Sequence, residues 1–414
     1  MIKQQNLAEQ DQEIYNLIQN EEEKELSSIR LIPSENYASK AVREATGSIL
    51  TNKYSEGYPG KRYYEGCEII DQIENLARDR AKKLFNTDYH VNVQPYSGSP
   101  ANWAVYLGLC EPGETIMGMN LLHGGHLTHG WKFNLTSKIF NAVQYSVNPD
   151  TQVVDFDELS KLAKEHQPKI IICGGTAIPR AIDFKAFRKV ADEVGAYLLA
   201  DISHIAGLIA AGVHESPFGI ADIITSTSHK TLRGPRGAFI MCKPELAEKI
   251  DKAIMPGLQG GPHNNVTAAM AVAFAEAMTP EFKNYAKQII TNAQTLAKEL
   301  INKGYKLITN GTDNHLILID TAGSKNILGK EAASVLNKAG IICNANTIPF
   351  DPNPPLKPSG IRIGTPAITT LGMKEQEMIK IANWIDQALT NYQDEEKLGQ
   401  IKEEIKSFMK TLNN

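Results

Sequence analysis

Residues 169–201 read KIIICGGTAIPRAIDFKAFRKVADEVGAYLLAD. Lys169 to Cys173 is a short apolar run that Gly174-Gly175 breaks, and Tyr197 to Ala200 is a second run of the same kind. Between them Asp183 stands where a helix N-cap is expected, with Phe184, Phe187, Val190, Ala191 and Val194 recurring at helical spacing. Strand, helix and strand in so short a stretch predict a βαβ unit, hence an α/β fold with a large, mostly parallel sheet covered by helices. Ligands in such sheets gather at the carboxyl ends of the strands. Asp201 falls at one such end. A second lies at the close of Ala221-Asp222-Ile223-Ile224-Thr225-Ser226-Thr227-Ser228-His229-Lys230, just before the turn Gly234-Pro235-Arg236-Gly237.

A lysine at the end of a buried strand can be desolvated, which makes its neutral amine accessible for Schiff-base chemistry. Taken alone Lys230 also fits a solvated turn residue, so its neighbours decide. Asp201 ends an apolar strand, where an ionised carboxylate needs a cationic partner such as a protonated pyridine nitrogen; the alternative is a helix N-cap. Ser97-Gly98-Ser99 lies between a strand-like stretch and the helix expected over Ala101 to Leu109, where free N–H groups can hold a phosphate. His126 offers a flat ring. Arg362, between Ile361 and Ile363, is either a clamp for an α-carboxylate or half of a structural salt bridge. An aldehyde-capturing lysine, an acid, a phosphate cradle and a stacking ring are together what pyridoxal 5'-phosphate asks of a protein. The spacing of His123, His126 and His129 also suits zinc, but Gly124-Gly125 makes a loop there with no carboxylate or thiolate near in sequence, so no metal is expected.

Composition narrows the partners. The 414 residues are 42% hydrophobic and 22% charged, enough for a large core. With 43 basic and 47 acidic residues the net charge is −4, which recommends neither nucleic acid nor an anionic membrane. The five cysteines form no CxxC pair and suggest neither a disulfide framework nor a thiolate metal site. No apolar signal core precedes Glu21-Glu22-Glu23 and no stretch is long enough to span a bilayer, so the cytoplasm is the expected location. Leu7, Ile14, Leu17, Ile18, Leu26 and Ile29 predict a helical arm over residues 1–30 whose apolar stripe needs a partner. Residues 68–85 carry a helical pattern. A large cofactor-binding domain is expected over 31–275 and a smaller C-terminal α/β domain over 276–414, with Pro349 to Pro355 as a loop and a closing amphipathic helix.

Several blocks extend these readings. Leu31-Ile32-Pro33-Ser34-Glu35-Asn36-Tyr37, the run from Asn52 to Tyr64, His123-Gly124-Gly125-His126-Leu127-Thr128-His129-Gly130, Ser228-His229-Lys230-Thr231-Leu232 and Gly260-Gly261-Pro262 resemble the signature blocks of the serine hydroxymethyltransferase family, in the right order from about residue 12 to 390. The resemblance implies a fold-type I pyridoxal-phosphate transferase, a homodimer with each active site shared between subunits. It implies that Lys230 forms the internal aldimine, that Asp201 pairs the pyridine nitrogen, and that His204 lies near the cofactor's phenolic oxygen. Ser97, Gly98, Ser99, His126, Thr176 and His229 would serve on the same chain, and Tyr54, Gly260 and Gly261 would reach the phosphate from the partner. Arg362 and Ser34 would bind the substrate carboxylate, while Glu56 with Tyr64 would handle the proton at the serine hydroxyl. Leu121, Gly125, Leu127 and Asn346 match the family's folate positions. The implied reaction moves a hydroxymethyl group reversibly between L-serine and tetrahydrofolate, leaving glycine.

Departures from the family pattern surround these residues: Tyr96, Pro100, Trp131, Ser203, Asn265, Ala345 and Leu371, and Thr176-Ala177-Ile178 in place of Ser-Ala-Tyr. They raise the alternative of a paralogue with a changed donor or acceptor, such as an α-methylserine hydroxymethyltransferase or a folate-independent β-hydroxy amino acid aldolase. A cofactor-free or nucleic-acid-binding relic is disfavoured by Lys230, Asp201, His126 and Arg362 and by the acidic balance.

Overall fold

The computed structural model describes residues 5–412. The first four residues of the expected arm and the last two of the C-terminal domain lie outside the described residues. Seven strands build the main sheet: His90–Asn92 (β1), Thr115–Met119 (β2), Asn141–Tyr145 (β3), Ile170–Cys173 (β4), Tyr197–Asp201 (β5), Ile223–Thr227 (β6) and Ala238–Cys242 (β7). Their order is β1-β7-β6-β5-β4-β2-β3. Strands β2 to β6 pair in parallel, and β7 runs antiparallel between β6 and β1.

The apolar runs are continuous because both faces of the sheet are covered. Along β4, Ile171 and Cys173 enter one core, with Phe184 and Phe187 of the helix Phe184–Val194. Ile170 and Ile172 enter the other, with Ala101, Val105 and Leu109 of the helix Gly98–Leu109. The βαβ unit forms as expected, and Asp183 caps its helix by accepting from the N–H of Ala186 at 2.9 Å. The helix over Glu68–Phe85 also forms, but its buried face is narrower than its apolar pattern: Ile70, Ala77, Ala81 and Leu84 are buried while Ile69 and Leu76 are exposed.

A second sheet, Lys306–Leu307 (β8), Leu316–Asp320 (β9), Asn344–Asn346 (β10) and Gly360–Gly364 (β11), is antiparallel in the order β8-β9-β11-β10. It has its own core, to which Ile401, Ile405 and Met409 of the closing helix Glu395–Leu412 contribute. The long helix Pro280–Asn302 joins the two, giving Phe282, Tyr285 and Ile289 to the first core and Leu296 and Leu300 to the second. Pro349 to Pro355 carries no helix or strand.

The arm is helical over Gln12–Ser27, with no buried residue and with Leu7, Ile14, Leu17 and Ile18 exposed. Ile29 leaves the arm's stripe. The backbone turns extended at Ser28, and Ile29–Arg30 pairs in parallel with Ile341–Ile342, which buries Ile29 and Leu31 in the second core.

Candidate active site

Asp201, the last residue of β5, is buried and hydrogen-bonded through both carboxylate oxygens. Its Oδ2 accepts from Asn102 Nδ2 at 2.9 Å and faces His129 Nε2 at 3.1 Å, and its Oδ1 accepts from the N–H of Ser203 at 3.1 Å. Burial by itself would raise this carboxyl, but the bond to His129 and the nearby His126 and Asn102 hold it well below the usual carboxylate range. It is not a helix N-cap: the next helix, Ala206–Ala210, is preceded by Ile205. His129 Nδ1 accepts from the N–H of His126 at 3.3 Å, so the ring proton sits on Nε2 and is donated to Asp201.

Lys230 lies three residues beyond β6 and is 9% exposed. Burial draws its amine down to about 8, with Arg362 and Arg236 acting in the same direction and Asp201 opposing. Burial also lowers His126 to about 4 and His229 to about 3, so both rings are neutral. His126 is held by Thr128, whose N–H donates to His126 Nδ1 at 3.2 Å.

At the start of the helix Gly98–Leu109 the N–H groups of Ser97, Gly98 and Ser99 have no partner among the described residues, and Pro100 sits in the first turn, where its missing N–H costs nothing. A Cβ on Gly98 would stand 2.9 Å from Thr227 Cγ2, so only glycine permits this approach of helix to strand. His229 Nδ1 is buried without a partner. Free N–H groups at a helix N-terminus, a lysine with a lowered pKa and a carboxylate kept ionised on the same sheet edge fit pyridoxal phosphate.

Arg362 projects from β11. Its Nε donates to Asn344 Oδ1 at 3.1 Å and its Nη1 to the carbonyl of Thr176 at 2.5 Å. Burial lowers it to about 10, and among the described residues it has no acidic partner, so the structural salt bridge is absent. Thr176 itself is bound to the Gly124-Gly125 turn, through its N–H to the Gly124 carbonyl and its hydroxyl to that of Gly125. Ser34 lines a cavity of about 530 Å³ with His229, Arg236 and Asn36. On the folate positions, Leu121 to Leu127 meet β10 where Thr347 Oγ1 donates to the carbonyl of Leu122 at 3.3 Å; Asn346 precedes it and Leu127 is exposed.

The three histidines separate. His126, His129 and Asp201 are the group of possible metal donors among the described residues, but Asp201 Oδ2 already takes Asn102 and His129, and His126 Nδ1 takes Thr128. His123 leaves them and packs on Phe350 with ring centres 4.5 Å apart.

Five expected residues meet one another. Tyr54 and Tyr64 meet edge-on at 5.3 Å, and both are exposed. Positions added at Gly260 and Gly261 would meet Glu56 Oε1 at 3.0 Å and Tyr54 Cε1 at 3.1 Å. The charge of Glu56 raises the Tyr64 phenol. Tyr96 belongs here too: its hydroxyl donates to the carbonyl of Gly261 at 2.7 Å, and its ring stacks on His263 at 4.2 Å.

Sequence reasoning missed Asn102, His129 as a partner of Asp201, Thr225, His315 and the bond that Ser203 makes. Thr225 Oγ1 donates to Asn102 Oδ1 at 2.6 Å, and Ser203 Oγ accepts from the N–H of Thr227 at 3.1 Å. The one signal for them was polar residues in apolar elements, as with Asn102 inside Ala101 to Leu109 and Thr225 inside β6. Other departures have structural settings. Asn265 donates to the carbonyl of Thr46 at 2.7 Å, Leu371 packs on the second core, and Trp131 lies edge-on to the exposed Phe133 at 5.8 Å.

A mostly parallel sheet with a buried lysine and an ionised acid at its carboxyl edge, and a smaller α/β unit supplying an arginine, defines a fold-type I pyridoxal-phosphate enzyme. The chain matches the family described as serine hydroxymethyltransferase over residues 7–385. It is 57% identical over 402 residues to the serine hydroxymethyltransferase of Desulfotalea psychrophila, covering 97% of this chain and 94% of that one. It is 58% identical over 399 residues to that of Sorangium cellulosum, covering 96% and 94%. The chain belongs to the serine hydroxymethyltransferase family.

Proposed function

We propose that this chain transfers a hydroxymethyl group reversibly between L-serine and tetrahydrofolate, giving glycine and 5,10-methylenetetrahydrofolate with loss of water. The observation that carries the reading is the buried Lys230 amine on the same strand edge as an ionised Asp201, facing an arginine without an acidic partner. Neither the family match nor the relatives favour the altered-acceptor or aldolase alternative. When bound, pyridoxal phosphate supplies an electron-withdrawing ring that accepts the electron pair left at the amino acid's α-carbon.

The chain's own residues do the rest. Lys230 and Asp201 hold the cofactor at its aldehyde and its pyridine nitrogen, the latter kept protonated by the carboxylate. Ser97, Gly98, Ser99 and His229 serve the phosphate side, and His126 offers a ring face. Arg362, with Ser34, orients the substrate carboxylate. Glu56, whose charge raises the neighbouring Tyr64 phenol, takes and returns the proton at the hydroxymethyl oxygen. Leu121, Gly125, Leu127 and Asn346 form the folate side.

Glu56, Tyr54, Tyr64, Gly260 and Gly261 act in this reading from the second subunit of a homodimer, which the exposure of Tyr54 and Tyr64 supports. The working domains are the arm 1–30, the large domain 31–275 and the small domain 276–414. Among the described residues no helix is long and apolar enough to cross a membrane, and the reading places the enzyme in the cytoplasm.

The direct test is the absorption spectrum of the loaded protein, taken alone, with glycine, and then with tetrahydrofolate. A strong new band at longer wavelength on adding folate supports the reading; a response to glycine that ignores folate moves the assignment to the aldolase. Two further results are expected. Cofactor-free protein should take up pyridoxal phosphate faster as pH rises through about 8, because the neutral Lys230 amine accumulates above that value; a midpoint near that of an ordinary lysine would contradict the buried setting. Lys230→Ala and Glu56→Gln proteins, each inactive alone, should recover about a quarter of wild-type activity when refolded together in equal amounts, since half of the dimers then carry one intact shared site. No recovery would mean that Glu56 serves its own chain.

A further inference from the structure

We propose that His315 is a positioning residue that holds His204 in the tautomer with its proton on Nε2, so that His204 presents an N–H donor to the active-site cleft. His204 follows Asp201 by three residues, and His315 directly precedes β9 of the second sheet, so the contact joins the two units across the site. His204 Nδ1 lies 3.1 Å from His315 Nε2, and the rings stack with centres 5.3 Å apart. At that distance one nitrogen must donate and the other accept. Burial, reinforced by the charges of Lys230 and Arg362, keeps both rings neutral: His204 is held well below its ordinary value and His315 falls to about 3.

Each ring therefore carries one proton, and only two arrangements remain. If His204 Nδ1 donated, the His315 proton would sit on Nδ1. That atom is sealed in the protein with no hydrogen-bond partner. An orphaned buried N–H is costlier and rarer than an unused acceptor lone pair. The favoured arrangement has His315 Nε2–H donating to His204 Nδ1, which leaves His315 Nδ1 as a bare lone pair and moves the His204 proton to Nε2.

His204 Nε2 makes no hydrogen bond among the described residues and is not sealed. Lys230 is the charged group acting on the ring most strongly. The backbone around His315 is anchored on both sides: the carbonyl of His315 accepts from the N–H of Thr365 at 3.0 Å, and Asn314 donates to the carbonyl of Ile178 at 2.9 Å while accepting from the N–H of Leu316 at 3.0 Å. A donor fixed in this way suits an anionic oxygen. Naming that oxygen as the cofactor's phenolate rests on the proposed function; the tautomer does not.

The first test is nitrogen NMR of cofactor-free protein labelled with ¹⁵N-histidine, which distinguishes protonated from bare ring nitrogens, with His315→Gln and His204→Asn spectra used for assignment. The expected result is a proton on Nε2 and a bare Nδ1 in both residues; a His204 proton on Nδ1 overturns the proposal without touching the proposed function. The second test measures pyridoxal phosphate affinity and the absorption maximum of the bound cofactor. His315→Leu, which removes the donor, should weaken affinity about 10- to 100-fold and shift the maximum, whereas His315→Gln, which keeps an N–H donor, should restore most of both. Equal effects of Leu and Gln, or no effect of Leu, overturn the positioning role. A wild-type protein that takes up no pyridoxal phosphate would instead retire the cofactor reading and leave the NMR assignment standing.

Discussion

Asp201→Asn is expected to leave the protein folded and to lower turnover roughly a thousandfold, because removing one member of a buried ion pair typically costs 3–5 kcal/mol. The carboxylate meets donors on both oxygens: Asn102 and His129 at Oδ2, the N–H of Ser203 at Oδ1. His129 cannot change its role, since the N–H of His126 already donates to its Nδ1 and confines the proton to Nε2. An asparagine can keep its oxygen toward Asn102 and His129 only by turning its amide group against the Ser203 N–H. That mismatch should cost about 1–3 kcal/mol of stability, small beside the kinetic loss. Cofactor uptake should survive, since Lys230 and the free N–H groups at Ser97 to Ser99 are untouched. The measurements are kcat, the melting temperature and the visible absorbance; a variant that retains near-normal turnover would remove Asp201 from the site.

Arg362→Ala is expected to raise KM for L-serine by about 10²- to 10⁴-fold, the equivalent of two hydrogen bonds to a charged group at roughly 1.5–3 kcal/mol each. In the free protein the guanidinium is bound, among the described residues, only to a side-chain amide and a backbone carbonyl, so its removal should change ligand-free stability little. The diagnostic readout is thermal: L-serine at a hundredfold excess over its Kd should stabilise the wild type by about 2.7 kcal/mol, and the same concentration should do nothing for the variant. Arg362→Lys should not rescue, because a point charge cannot reproduce a planar two-pronged donor. A KM within threefold of wild type would send the carboxylate elsewhere.

Most of the architecture was readable along the chain. The βαβ unit over residues 169–201 and the helix over Glu68–Phe85 were legible because their apolar spacing is long and regular. Asp201, Lys230 and Arg362 stood out for the opposite reason: each is a charge at the end or in the middle of an apolar strand, a position that only a partner makes tolerable. Ile29 was misplaced on the arm, because a helical stripe and the start of a buried strand carry the same apolar residue. Within the helix over Glu68–Phe85, Ile69 and Leu76 are apolar yet exposed, since periodicity reports which residues share a helix face and not how wide the covering is.

The sequence by itself determined the sheet, the two units and the charged residues that mark the candidate site, because strand alternation, helix period and the cost of an isolated buried charge are all local. Only the tertiary structure decided how those charges are held. Asn102 and His129 converge on Asp201 from distant parts of the chain, His315 reaches His204 across the junction of the two sheets, and His123 parts from its two neighbours to join Phe350. Tyr54, Glu56, Tyr64, Gly260 and Gly261 likewise gather from distant parts of the chain. Hydrogen bonds depend on distance and angle after the chain has crossed itself, and nothing in the order of residues records that crossing.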